Sequence, residues 1–211
     1  MTGDDACGMP PWHCRLEAVI WWHRAAPCAA TAVPAGVRPA RRLPVTLAAL
    51  VRYAETPVGP YGEIAGSPVL FLDGLRPAGH VPFIAVDSEA SAAAGRKLWA
   101  LPKLLAELAW PSGQLAAGPA QATARAAAGD WSLAVHLRPR RAQVPFAVAG
   151  RCVQRAPDGA RVGFPVAAAG LATPARVRLQ IAGSAAPAWL LGGAHPALVL
   201  SRTRLRIGRP G

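Results

Sequence analysis

Twenty-two prolines and 21 glycines are scattered from one end of this chain to the other. A proline lacks a backbone donor and breaks the ladder of a helix interior or a central strand, and a glycine in either place is entropically costly. Punctuation this dense leaves room for many short elements and few long helices, so the sequence predicts a mainly β domain with few short helices. Candidate strands run from Leu16 to Trp22, Val45 to Tyr53, Val69 to Leu72, Trp131 to Leu137 and Ala175 to Ile181. Leu198 to Ile207 carries an arginine at every second position from Arg202 to Arg206, the pattern of a strand with one solvated face. The stretch from Pro111 to Gly129 reads as a turn followed by an edge strand.

A chain of 211 residues with 52% hydrophobic and 16% charged residues can bury one sizeable core, and no linker divides it, so residues 1–211 form a single domain. No apolar run reaches the roughly 18 to 20 residues of a membrane-spanning helix. The start is acidic at Asp4 and Asp5, where a secretory signal is basic, and no apolar stretch precedes Pro10 and Pro11. A cytoplasmic location is the expectation. The formal charge of +12 invites a nucleic-acid reading, but the arginines are dispersed and not interleaved with stacking aromatics, so nucleic acid and membrane are not expected partners.

Cys7, Cys14, Cys28 and Cys152 form no CxxC pair, so free thiols are expected. A zinc site from Cys7, His13, Cys14 and His23 lacks a second tight pair of ligands, and no metal or cofactor is expected. His80, His136 and His195 stand far apart. No Gly-x-Ser-x-Gly elbow or phosphate loop is present, which sets aside serine hydrolase and nucleotide-binding readings.

One segment departs from the β pattern. Asp87 and Ser88 are good N-caps, Glu89 suits a first turn, and Ala90 to Leu98 are mostly strong helix formers. Pro102 ends that helix near Trp99 to Leu101, because it disfavours helical geometry in the residue before it. Lys103 follows at once, and it and Lys97 are the only lysines in the chain. An amine kept from water loses its proton more readily and becomes a nucleophile. Lys97, in the helix, reads as a solvated residue.

Glu63 stands 40 residues ahead of Lys103, just after a Pro/Gly turn. The turn Thr56-Pro57-Val58-Gly59-Pro60-Tyr61-Gly62-Glu63 and the run Gly95-Arg96-x-x-Trp99-x-x-Pro102-Lys103 resemble the signatures of the acetoacetate decarboxylase family, in the family's order. Pro11-Trp12 near the start is also typical of its members. The strong part of the likeness covers residues 53–110.

The resemblance implies an antiparallel β-barrel, closed or cone-shaped, and a homo-oligomer. It also implies a lysine that forms a Schiff base with a small keto acid, assisted by a glutamate in the same cavity. By position, Lys103 is the expected nucleophile and Glu63 that glutamate. Tyr61 and Trp99, within the two signatures, are candidate substrate contacts. The family's decarboxylase uses an arginine from an early strand; Arg15 falls within one position of it, while simple alignment puts Leu16 there, and a one-residue slip in a strand reverses the face.

The expected reaction is decarboxylation of an acetoacetate-like acid, although the same imine serves aldol or dehydration chemistry. A family member that binds a ligand without catalysis is the alternative. One departure touches mechanism: the decarboxylase has a second lysine where this chain has Leu104. Acetoacetate decarboxylase is the usual example of a lysine activated by desolvation or by a neighbouring cation, so that explanation is borrowed from the family. Leu104 cannot repel a charge, and burial by Leu98, Trp99, Leu101 and Leu105 is expected to activate the amine instead.

Overall fold

The computed structural model describes residues 8–33 and 41–211. Thirteen strands dominate these residues: β1 (Trp12–Arg24), β2 (Arg42–Leu43), β3 (Val45–Glu55), β4 (Tyr61–Ser67), β5 (Leu70–Asp73), β6 (Arg76–Gly79), β7 (Phe83–Val86), β8 (Lys103–Ala109), β9 (Ala120–Ala126), β10 (Ser132–Pro139), β11 (Val144–Arg155), β12 (Arg161–Ala182) and β13 (Gly193–Ile207). One α-helix, α1 (Glu89–Trp99), and a short 3-10 turn at Pro27–Ala32 complete them. No helix among the described residues is long and apolar enough to cross a membrane.

All the strands belong to one sheet, ordered β10-β9-β8-β7-β4-β3-β1-β13-β12-β11-β6-β5-β2. Because β10 also pairs with β12, from Ser132 opposite Ala182 to Pro139 opposite Ala175, the order from β10 to β12 returns on itself as a barrel-like ring. The pairing is antiparallel except between β7 and β8 and between β6 and β11. This is the mainly β architecture that the proline and glycine density predicts.

The same strands serve two cores on their two faces. Side chains alternate along a strand, and in β1 Cys14, Leu16 and Ala18 enter one core while Val19 and Trp21 enter the other. The Val19 core draws on every strand of the ring, including Leu50, Ile64, Ala85, Ala106, Ala124, Val135, Val177 and Val199. The Cys14 core lies across the sheet and takes in Tyr53, Tyr61, Val86 and, from α1, Ala92, Ala94 and Trp99.

The predicted helix forms almost where expected. Ser88, rather than Asp87, caps it by accepting from the Ser91 backbone N–H, while Asp87 accepts from the Gly62 N–H at 2.7 Å. Ala100 takes a left-handed conformation (φ 52°) and closes the helix C-terminus just before Pro102. The expectation of an edge strand within residues 111–129 is corrected, since β9 pairs with β8 on one side and β10 on the other. Its small residues Ala122 and Ala124 face the crowded ring interior, a packing role that composition alone does not separate from an exposed edge.

Trp21 is fully enclosed in the ring core. The Trp21→Ala variant is expected to lose about 3–5 kcal/mol of stability, read as a lower urea midpoint with an unchanged slope.

Candidate functional site

The two residues singled out by the sequence meet because of the sheet register. Glu63 in β4 pairs with Val86 of β7, and Lys103 in β8 pairs with Ile84 of the same β7. Ile84 and Val86 are two residues apart and share a face, so Glu63 and Lys103 flank β7 on one side of the sheet. That side carries the α1 core. The parallel β7–β8 connection requires a crossover, which α1 supplies, and the helix therefore lies close to the start of β8.

Gly95 makes the close approach possible. A Cβ at that position would stand 2.6 Å from Lys103 Cδ and 2.7 Å from Cε, so any side chain there would force the lysine stem to shift from its course beneath the helix. Lys103 is consequently 4% exposed and Glu63 7%. The Nζ donates to Glu63 Oε2 at 2.8 Å and to Ser91 Oγ at 2.9 Å. Tyr53 donates its hydroxyl to Glu63 Oε1 at 3.3 Å. Tyr61 stacks on Tyr53 with ring centroids 4.5 Å apart, and its ring centroid lies 5.1 Å from Nζ. An amine, a carboxylate, a serine hydroxyl and two phenols thus form one buried polar cluster.

The electrostatics of the surrounding groups follow from burial and from Glu63. Burial pushes the Cys14 thiol from 9.0 to about 11; the Glu63 carboxylate adds to this and Lys103 opposes it. Cys152 rises to about 12, chiefly by burial. Both phenols are pushed up by burial and then by Glu63, so they remain protonated donors. The free-thiol expectation is met at Cys14, Cys28 and Cys152, while Cys7 lies outside the described residues.

The other candidates divide. Tyr61 joins the cluster. Trp99 lies in the same core, edge-on to Trp12 at 4.9 Å, with its indole N–H donated to the Gly208 carbonyl at 2.9 Å, which makes it a wall behind the cluster. Arg15 is not brought to the site: alternation turns it to the other face of β1, where its guanidinium pairs with Glu55 at 3.3 Å and stays largely in water. Cys14 and Leu16 take the inward positions. Of the zinc grouping, Cys7 lies outside the described residues, and among the described ones His13 points outward and Cys14 inward.

The expected source of burial is corrected in one part: Trp99 and Leu101 are buried in the α1 core with Leu98 packed against it, but Leu105 is 38% exposed, and the cover over Lys103 comes from α1 and Tyr61. Arg96 donates to the Lys103 backbone carbonyl, which fixes the strand start and leaves Nζ to Glu63 and Ser91. Sequence reasoning missed Ser91, Tyr53 and the role of Gly95. Ser91 and Gly95, four residues apart, share the helix face turned to the sheet, and a lone hydroxyl on a face otherwise built from alanine and glycine was the available signal.

A family model described as acetoacetate decarboxylase matches residues 2–150 of the chain. No curated protein sequence matches it. Among solved structures, it is similar to an acetoacetate decarboxylase-like enzyme from Sphingomonas wittichii RW1, with TM-score 0.64 and 17% identity, covering 100% of this chain and 96% of that one. An acetoacetate decarboxylase from Legionella pneumophila gives TM-score 0.62 and 15% identity, covering 96% and 86%. The enduracididine biosynthesis enzyme MppR, complexed with the condensation product of pyruvate and imidazole 4-carboxaldehyde, gives TM-score 0.61 and 15% identity, covering 99% and 91%. At these identities the likeness to solved structures establishes the shared fold.

Buried thiols with raised pKa values are poor nucleophiles. In the native protein at pH 8, exposed Cys28 is expected to be alkylated by iodoacetamide, while Cys14 and Cys152 react only after denaturation; peptide mass mapping before and after unfolding checks this. The same shifts carry a sign for stability. The two thiols favour the fold fully below pH about 9, and this contribution is lost as pH rises towards about 11 for Cys14 and about 12 for Cys152.

Proposed function

Because the chain belongs to the acetoacetate decarboxylase family, over residues 2–150, we propose that it is a carbon–carbon lyase working through an imine at Lys103. The observation that carries this reading is the amine itself: Nζ lies inside the protein, 2.8 Å from the Glu63 carboxylate and 2.9 Å from the Ser91 hydroxyl. A buried lysine without a chemical task is costly, since both its charge and its partner's must leave water.

The paired geometry suits imine formation. Passing the shared proton from Nζ to Glu63 Oε2 leaves an uncharged amine able to attack a carbonyl carbon. The C–N bond forms, the carbonyl oxygen takes a proton from Glu63, and the resulting carbinolamine loses water to give a protonated imine. Ser91 holds Nζ in line during this addition. The imine draws electrons from the adjacent bond: a β-keto acid would release carbon dioxide and leave an enamine, which is protonated and then hydrolysed to free the lysine. The same electron sink serves aldol cleavage, condensation and dehydration, and the condensation product held by the MppR neighbour belongs to that wider chemistry. The active form is proposed to be a homo-oligomer.

Borohydride reduction tests the reading directly. Incubation with a panel of small ketones, aldehydes and keto acids, followed by reduction, is expected to leave a mass adduct on Lys103 and none in the Lys103→Ala variant. Failure of every carbonyl compound to label Lys103 would sink the proposal. The Gly95→Ala variant should remain folded by circular dichroism yet label about tenfold more slowly or worse, because the added methyl displaces the lysine stem from its position beside Glu63.

A further inference from the structure

The positive charges that would hold a substrate carboxylate are turned away from the amine. Arg15 is on the far face of β1, paired with Glu55, and the strand places Cys14 and Leu16 on the near face. The residue after the nucleophile, Leu104, is apolar and half exposed. Among the described residues, Lys103 is the one buried lysine or arginine. What surrounds Nζ is a carboxylate, a serine hydroxyl, two phenols and the Cys14 thiol. A second carboxylate brought here would share a single cation with Glu63, leaving one buried negative charge uncompensated and facing a like charge.

The chemical requirements divide along the same line. Loss of carbon dioxide from a β-keto imine needs no base, and its substrate brings a carboxylate. Cleavage of a β-hydroxy ketone needs a base for the hydroxyl proton, and its substrate is uncharged. The site holds a positioned carboxylate, with Oε1 accepting from Tyr53 and Oε2 from Nζ.

Resting on the imine reading above, we infer that the substrate class of this site is an uncharged β-hydroxy ketone, cleaved or formed by aldol chemistry at Lys103 with Glu63 as base. Nζ adds to the ketone carbon and water leaves, giving the protonated imine. The Glu63 carboxylate takes the β-hydroxyl proton as the bond between the α- and β-carbons breaks; the electron pair enters the imine to form a neutral enamine, and a carbonyl fragment departs. Protonated Glu63 returns the proton to the α-carbon, and water hydrolyses the imine to release the second ketone and restore Nζ. No external oxidant or reductant enters the balance.

Diacetone alcohol, a β-hydroxy ketone that cleaves to two molecules of acetone, is a suitable probe beside acetoacetate and pyruvate at equal concentration. The uncharged ketone is expected to be trapped on Lys103 by borohydride about tenfold faster than either acid. Without borohydride, the wild-type protein should release acetone from it, followed by proton NMR, and Glu63→Gln should lower acetone release by at least about tenfold more than it slows trapping, because Glu63 serves imine formation and is the base for the cleavage step as well. Acids trapped as fast as the ketone or faster overturn the inference and leave the imine reading standing. Trapping of the ketone without acetone release overturns the cleavage step. Absence of any adduct, from ketone or acid, overturns both readings.

Discussion

The ion pair between Lys103 and Glu63 is the interaction on which the organisation of the site depends. Two charges inside a protein are tolerated only when each faces its partner closely and the remaining polar atoms are satisfied. Here the requirement reaches outward through the fold. It demands the β4–β7–β8 order, which sets both side chains on one face, and a crossover helix at the start of β8. It demands glycine at position 95 for the lysine stem, a serine at 91 to take a second N–H from Nζ, and Tyr53 to occupy the free carboxylate oxygen. Removing any of these leaves a buried polar atom unpaired or a charge misplaced, which is why a short helix in a mainly β chain carries so much of the site.

The share of this that could be read from the sequence follows physical rules. Pro102 and the caps around Ser88 are local signals, and the helix appears at Glu89–Trp99. Lys103 and Glu63 were legible because two short signatures named them, although 40 residues separate them along the chain. Tyr53 and Ser91 were not, because their part depends on which face of a strand or helix meets which neighbour. Strand pairing between distant segments decides that, and neither composition nor spacing reveals it. β9 shows the same limit: alanine-rich alternation suits an exposed edge and a tight ring interior equally well until its two partners are known.

Arg15 illustrates how sharply the period-two geometry of a strand governs function. Its neighbours Cys14 and Leu16 enter the core of the site, and it cannot follow them without reversing the whole strand. β1 is further constrained because Val19 and Trp21 fill the ring core on the opposite face. A slip that carried Arg15 inward would take Trp12, Cys14 and Leu16 out of one core and Val19 and Trp21 out of the other. The two-core arrangement therefore protects the electrostatics of the site: the wall opposite the amine is kept apolar by the packing of both cores at once.

The same geometry changes the meaning of Leu104. In β8 the side chain of Lys103 runs under α1, while that of Leu104, the next residue, points to the other face and is half exposed. A cation at position 104 would therefore extend from the far side of the strand into water, where a charge is strongly screened. The lack of a second lysine costs the amine little direct repulsion in this fold. The surroundings of Nζ are set instead by Gly95 and Ser91 of α1 and by Tyr61 and Glu63 of β4. A site built in this way can keep its buried amine in place while the charges around it change, because the contacts that hold the lysine and positions 15 and 104 lie on different strands and different faces.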